Sequence, residues 1–382
     1  MEPIRILYII DTLNTSRGGS EQHLVWLLKN IPAADFDKHF IILSHFGHPE
    51  TFDPAIFPKG APPVLSRQFG FGKIAWFKQV GFLRRYIKEN RIQIVQAFNS
   101  VAELTAAVAA CTVRNCQVVG NRRNCGYDRR KIIRRIHWAE NFFSMRYIAN
   151  SEAARQTAFQ NDKTPLNAIE VIRNPISFER VQTGFAEQMK REELPIPNLK
   201  PEDKLVGMVA TVRPIKDYPT LVRAAKTVLR SVPNVYFLCV GEYQGTEHIA
   251  ELNELAEQED VADRFIWYGG IDNPLKIVPL FDAAVLSTHS ESFSNAVLEY
   301  AVAERPIIVS DVGGLGEIVQ DGKSGFIVPP ENPAALAEKI VWFLQNPEAA
   351  AEFGRNAGAF VRERYDEQKI LRQYTNYYRQ II

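Results

Sequence analysis

Two glutamates, Glu291 and Glu299, stand with seven residues between them, and the stretch that separates them contains Phe293, Ser294, Asn295 and Ala296. A polar loop that opens a helix, as Ser294-Asn295 does ahead of an apolar run, offers backbone N–H groups and a favourable dipole to an anion. A diphosphate fits there. Two carboxylates cannot both serve that anion, because like charge repels it. They suit hydroxyl groups, from which an ionised carboxylate accepts strong hydrogen bonds. Phosphate between two polyols describes a nucleotide sugar. The neutralising cations come from VRPIKDYPTL, where Arg213 and Lys216 follow the first strand of the second half. Placed at a strand's carboxyl end, they would hold a diphosphate and stabilise the charge that grows on it as a leaving group.

Weaker signals lie in the first half. Gly18-Gly19 follows the first strand and opens a helix carrying Glu21 and His23. Such a turn lets the backbone approach a ligand, but the full GxGxxG spacing and acidic partner of a dinucleotide site are missing. Arg122-Arg123, beside a strand end, are candidates to hold an acceptor phosphate. Eight basic residues lie between Arg122 and Arg146 among apolar ones. Between 67 and 91, Lys73, Lys78, Arg84, Arg85, Lys88 and Arg91 mingle with Phe71, Trp76, Phe77 and Phe82. A basic amphipathic helix reads as a membrane-surface element, or as a solvated face whose aromatics belong to the core. His137 is expected on the basic helix face, and His289 either lines the sugar pocket or is structural.

These residues need scaffolds to converge, and 382 residues are too many for one core. Short β-branched runs alternate with helical patterns throughout, the mark of parallel sheets with crossover helices. Strands are expected near 4–10, 38–44, 92–98, 117–121, 146–150 and 168–172. The rhythm restarts at 204–210, 235–241, 264–269, 283–288 and 305–310. The fold class is therefore α/β, with two Rossmann-like doubly wound domains, 1–175 and 204–365. Pro195, Pro197 and Pro201 mark 176–203 as a linker or surface excursion, and 366–382 is a last helix expected to pack back on the first domain. Two such domains facing each other leave a cleft at the carboxyl ends of both sheets.

The net charge of +1 conceals a split: 24 Lys+Arg and 14 Asp+Glu in 1–175, against 21 and 30 in 176–382. Such a split suits an anionic surface or holds two lobes together. Cys111, Cys116, Cys125 and Cys239 form no CxxC pair and no zinc-like spacing with His, so reduced, mostly buried thiols are expected. The apolar run at 4–10 is too short for a membrane helix and lacks a signal-peptide cleavage pattern, and no later stretch is long enough to span a bilayer. A cytoplasmic protein is expected, peripheral on the membrane if the basic helices touch it.

Taken together, GGSEQHL, NRRNCGY, YIANSEA, VIRNP, VRPIKDYPTL, VGEYQG, the Glu291/Glu299 pair and SDVGGLGEIVQDGKSGFIVPP resemble family four of the retaining glycosyltransferases, with the GT-B fold. The resemblance implies that Glu291 touches the donor sugar and Glu299 the ribose. It implies that the backbone around Phe293, Ser294, Asn295 and Ala296 meets phosphate and sugar, and that Arg213 and Lys216 clamp the diphosphate. Gly18 and Gly19 would close over it from the other lobe, with Gly241 and Ile271 also on the donor side. Neither metal nor other cofactor is implied, because Arg and Lys neutralise the diphosphate. The partners implied are a UDP- or GDP-sugar and a sugar or lipid-linked acceptor, with no nucleic acid, in a setting such as bacterial surface polysaccharide or lipopolysaccharide synthesis. The acceptor hydroxyl would attack the face the nucleotide leaves, its proton passing to a departing phosphate oxygen, with no dedicated protein base.

Some positions depart from the family's commonest form. Thr211 stands where Arg is usual, Gln96 and Phe98 where histidines are common, Pro175 where Gly is frequent, and Ser292 where Gly follows the first Glu. Other readings stay open: a sugar-nucleotide epimerase on the same architecture, a glycan phosphorylase, or a non-catalytic protein that kept the fold as a scaffold.

Overall fold

The computed structural model describes residues 2–11, 19–43, 64–66, 73–125, 131–143, 145–243 and 245–382. The chain divides into two compact units, Met1–Asn174 with Gln368–Ile382, and Pro175–Glu367.

The first unit is built on strands β1 (Ile4–Ile10), β2 (Phe36–Ile42), β3 (Val64–Ser66), β4 (Ile94–Phe98), β5 (Gln117–Arg122), β6 (Arg146–Ala149) and β7 (Ile169–Val171). They form one parallel sheet in the order β3-β2-β1-β4-β5-β6-β7. Helices α1 (Gly19–Asn30), α2 (Lys73–Glu89), α3 (Ser100–Ala110), α4 (Lys131–Glu140) and α5 (Glu152–Asp162) occur between the strands. From Ile6 to Ile10 strand β1 is apolar without interruption because both its faces are covered: Ile6, Tyr8 and Ile10 enter one core with Leu24 and Leu27 of α1, while Leu7 and Ile9 enter the other with Leu83 and Ile87 of α2. The chain runs from β1 outward to β2 but from β4 outward to β5, so the topological switch point falls between β1 and β4, where open α/β sheets bind ligands at their carboxyl ends.

The second unit repeats the scheme with β8 (Lys204–Val209), β9 (Val235–Val240), β10 (Phe265–Gly269), β11 (Ala283–Leu286), β12 (Ile307–Ser310) and β13 (Phe326–Val328), in the parallel order β10-β9-β8-β11-β12-β13. Its switch point lies between β8 and β11. The helices are α6 (Phe178–Ala186), α7 (Tyr218–Ser231), α8 (Thr246–Gln258), α9 (Asn295–Val302), α10 (Pro333–Gln345) and α11 (Pro347–Arg364).

The stretch 176–203, read from its prolines as a linker, is instead part of this second unit. Ser177 caps α6 by accepting from Arg180 N, and Leu194 and Ile196 are buried in the unit's core, so the segment is anchored by apolar side chains on either side of Pro195. The final helix, α12 (Glu367–Gln380), contributes Ile370, Tyr374, Tyr377 and Tyr378 to the α1 side of the first unit's core. None of the four cysteines is in a disulfide, but only Cys239 is buried; Cys111 is exposed at the end of α3.

Candidate active site

The second unit's site grows from the loops that leave β8 and β11, adjacent strands in the sheet. Past β8 the chain bends tightly: Tyr218 Oη donates to Ala210 O at 2.6 Å, and Val212 N donates to Glu242 O at 2.8 Å. Gly241 is needed there, since a Cβ on it would lie 1.9 Å from Ala210 O. A short 3-10 turn, Pro214–Lys216, then delivers Asp217 at φ 42°, and its carboxylate caps α7 by accepting from Thr220 N.

The loop after β11 is tied to this one. Ile215 O accepts from both His289 N and Thr288 Oγ1, each at 2.9 Å, and Glu291 O accepts from Gly314 N at 3.0 Å. These bonds bring Lys216 against Glu291, and Nζ donates to Oε2. Both side chains are mostly buried, at 12% and 16% exposure, so the pair is screened far less than a surface pair. Arg213 is exposed and has no ion pair among the described residues. His289 stands at the loop's rim, its Nδ1 3.1 Å from Glu331 and its Nε2 3.8 Å from Asp217.

Ser294 caps α9 by accepting from Val297 N. Asn295 and Ala296 form the first turn of the helix, where N–H groups point out along the axis. The ring of Phe293 stacks edge-on against Tyr365 at 5.4 Å, so its side chain is core and only its backbone faces other use. Glu299, one turn further, is 5% exposed. Burial raises its carboxyl above the usual range, and Arg180, whose Nε donates to Oε1 at 3.1 Å, pulls it back down. Ile271 is half-buried beside Gly269, which adopts φ +85° at the end of β10.

Each carboxylate therefore has its own cation, Glu291 by Lys216 and Glu299 by Arg180, and neither presents uncompensated negative charge to an anion at the start of α9. Arg180 escaped the sequence reading because it lies in the proline-bearing segment. Its signal was Ser177 ahead of Phe178, Val181 and Phe185, an N-cap followed by apolar residues at helical spacing.

The first unit treats its candidates differently. Gly18 lies outside the described residues, and Gly19 begins α1. Arg122, expected as an acceptor ligand, is buried between two carboxylates: Nη1 is 2.5 Å from Glu103 and Nη2 2.7 Å from Glu140, with the guanidinium over the Tyr147 ring. Burial alone would lower its pKa, but the two glutamates hold it well above the usual value. Its charge is satisfied inside the domain, which corrects that assignment. Arg123 is more open and donates from Nη2 to Asn174 at 2.6 Å and to Gly19 O at 3.4 Å. His137 does not face solvent on the basic side of α4; it turns inward, 3.0 Å from Glu140 and 3.3 Å from Ser100 Oγ. Glu103, His137 and Glu140 have metal-like spacing, but Arg122 already occupies the two carboxylates. Gln96 is also structural, accepting from Tyr378 and donating to Asn121 at 3.3 Å.

Comparison with known proteins places this arrangement. The family model of glycosyl transferases group 1 matches residues 189–360, and that of glycosyltransferase family 4 matches 17–180. Among solved structures, the Anabaena protein HepE in complex with UDP superposes with a TM-score of 0.81 at 18% identity, covering 99% of this chain and 100% of that one. A glycosyltransferase from Rickettsia africae gives 0.83 at 16% identity over 100% and 99%. Likenesses at such identity speak for the fold. Among curated relatives, the poly(ribitol-phosphate) alpha-N-acetylglucosaminyltransferase of Staphylococcus aureus is 26% identical over 46% of this chain and 35% of its own. The N-acetyl-alpha-D-glucosaminyl L-malate synthase of Bacillus anthracis is 25% identical over 51% and 49%. The chain thus spans half or less of these two relatives. With these two glycosyltransferase models matching successive halves of the chain and the fold shared end to end, the chain belongs to the group 1, family 4 glycosyltransferases and carries the GT-B fold.

Proposed function

We propose that this protein transfers a sugar, with retention of configuration, from a UDP- or GDP-sugar held by its second unit to a hydroxyl of a glycan or lipid-linked acceptor. The observation that carries the reading is the Lys216–Glu291 pair beside the first turn of α9, at the switch point of the second sheet. The α9 amides and Arg213 with Lys216 bind the diphosphate. Glu291 orients the sugar and Glu299 the ribose. As the glycosyl bond breaks, negative charge gathers on the departing phosphate, where fixed cations are most effective. The acceptor hydroxyl attacks on the same face, and its proton leaves with a phosphate oxygen, so no side chain is assigned as base. Arg123 remains the candidate on the acceptor side.

Support for the donor class comes from the neighbours: HepE was solved with UDP and with UDP-glucose, and TarM of S. aureus with UDP. A relative named for capsular polysaccharide biosynthesis, CapM of S. aureus, is 25% identical over 60% of each chain, which suits a role in bacterial surface polysaccharide or lipopolysaccharide assembly. A thermal-shift panel of nucleotide sugars tests the reading, because a specific ligand raises the melting temperature. The donor it selects is then offered with candidate acceptors, and the anomeric configuration of the product is read by NMR. Inversion, or turnover of the sugar without any acceptor, refutes the proposal.

Peripheral contact with the inner face of the cytoplasmic membrane belongs to the same reading. Among the described residues, no helix is long and apolar enough to cross a bilayer. The first unit nonetheless exposes Ile74 and Phe77 on α2, with Trp138 at the end of α4 and Phe142 just beyond it, and the same helices expose the cations Lys78, Arg85, Lys88 and Arg135. Aromatic side chains amid cations fit an anionic interface. Phe71, Arg129 and Arg130 of the basic stretches lie outside the described residues, as do the side chains of Lys73, Lys131 and Arg134.

A further inference from the structure

The segment 176–203 is fastened to the rest of the second unit with more care than its composition suggests. Asn273 Nδ2 donates to Arg180 O at 2.7 Å, while Asn273 Oδ1 accepts from Leu275 N. A Cβ on Gly184 would meet Leu275 Cβ at 2.4 Å, so α6 lies against the 273–275 turn as closely as a glycine permits. Beyond the two ends of the helix, Ile176 N donates to Tyr365 O at 3.0 Å and Met189 N to Lys276 O at 2.8 Å. All of this fixes the backbone of one residue, Arg180, whose side chain runs to Glu299.

Arg180 uses Nε–H on a single carboxylate oxygen, Oε1, and Glu299 Oε2 has no protein partner among the described residues. A purely structural ion pair between guanidinium and carboxylate tends toward the two-pronged geometry that occupies both oxygens. We propose that Arg180 is a positioning residue of the donor site: it holds Glu299 Oε1 and leaves Oε2 to receive the ribose hydroxyls of the nucleotide sugar. The proposal rests on the donor reading given above and deepens it by assigning how the ribose carboxylate is oriented and kept ionised.

The second consequence follows from burial. Burial raises the Glu299 carboxyl, and the Arg180 guanidinium opposes that rise by favouring the charged form. Other charges on the elements around α9 are engaged elsewhere: Lys276 with Glu187 at 2.6 Å, and Arg362 of α11 with Glu304. The neighbouring Tyr300 hydroxyl donates to Val285 O and accepts from Val209 N. Without Arg180, burial acts alone and the Glu299 carboxyl rises further. Below that raised value the group is protonated and a weaker acceptor of ribose hydroxyls; above it the charge returns. Removal of Arg180 therefore moves the pH dependence of Glu299 to higher pH than in the native site.

The test is calorimetric titration of UDP and GDP into the full-length native chain and the variants Arg180→Gln, Arg180→Lys and Glu299→Gln, from pH about 6 to about 9. Each variant's Kd is divided by the native value at the same pH, which removes the titration of the nucleotide itself. For Arg180→Gln the ratio should be about tenfold or more at the acid end and fall toward unity at the alkaline end. Arg180→Lys should restore most of the loss, and the ratio for Glu299→Gln should stay flat. Thermal melts of each variant separate loss of fold from loss of binding. If neither nucleotide binds the native chain, the donor reading itself fails. If one binds, and Glu299→Gln weakens it while Arg180→Gln leaves it unchanged, or weakens it equally at every pH, the role given to Arg180 is overturned and the donor reading survives.

Discussion

Replacement of Lys216 by alanine is the sharpest perturbation of the donor reading, because the structure sets the size of the effect. The ammonium is 12% exposed and touches a carboxylate that is 16% exposed, so its surroundings are neither bulk water nor dry interior. With an effective dielectric of about 20, a unit charge about 4 Å away from a phosphate oxygen contributes roughly 4 kcal/mol. Some of that is already present in the bound ground state. The share that appears only as the leaving group gains charge is on the order of 3 kcal/mol, which predicts a fall in kcat of about 10²–10³.

Lys216→Ala does something further, since it leaves Glu291 without its cation beside the same phosphates. The repulsion so exposed should make the double variant Lys216→Ala/Glu291→Gln less impaired than the product of the single effects, a coupling expected between residues in contact. Single-turnover discharge of radiolabelled sugar, with enzyme in excess of donor, isolates the chemical step from donor affinity. A Lys216→Ala enzyme within about threefold of native, well short of the loss expected for such a group, would remove Lys216 from the reaction. Strict additivity with Glu291→Gln would show that the two groups serve separate ends.

Three further outcomes follow from the first unit. Arg122→Ala leaves Glu103 and Glu140 buried without a cation and should destabilise the protein by about 3–5 kcal/mol, read from urea unfolding, whereas a surface arginine would cost almost nothing. Asp11, at the end of β1, has its carboxyl pushed up to about 8, first by burial and then by the nearby charge of Glu103, against the N–H groups of Val101 and Ala102. A folded value above the unfolded one means native stability declines as pH climbs from about 4 to about 8. Asp11→Asn should therefore gain melting temperature relative to native with rising pH across that window, and an unchanging difference would refute it. Trp138→Ser with Phe142→Ser should abolish cosedimentation with vesicles containing phosphatidylserine or phosphatidylglycerol at physiological salt while leaving donor binding intact; retained cosedimentation would detach these aromatics from the membrane.

Long strands were legible because burial on both faces writes itself as a run of apolar and small residues, Ile6 to Ile10 and Leu205 to Val209, and the strands Ile4–Ile10 and Lys204–Val209 were found within a residue of their ends. The strands Val64–Ser66 and Phe326–Val328 were not: three residues at a sheet edge carry little length or period, although β7, equally short and at an edge, was found near 168–172. In the proposed donor site, Arg213, Lys216, Glu291 and Ser294 were chosen from residue type and from their places next to strand ends and a helix start, and the structure brings Lys216 against Glu291 and makes Ser294 the cap of α9. What stayed hidden was pairing. Nothing in the spacing of Arg122 tells that Glu103 and Glu140 are 2.5 and 2.7 Å from it, because a contact between distant parts of a chain leaves no local pattern. Arg180 was hidden for a second reason: prolines at 175, 195, 197 and 201 mark where a chain cannot continue a helix, and say nothing of whether the pieces between them are packed.

The charge split illustrates the same limit at longer range. Residues 176–382 hold 30 acidic against 21 basic side chains, a balance that taken alone argues against an anionic ligand. At physiological ionic strength, exposed charges more than about 8 Å apart are largely screened from one another, so the surplus is weakly felt at the start of α9. A contact pair such as Lys216 with Glu291, mostly out of water, is not screened in that way. Local placement therefore decides the ligand's sign against the average of the domain, and an acidic half can hold a diphosphate provided its carboxylates at the site are matched one by one, as Glu291 and Glu299 are.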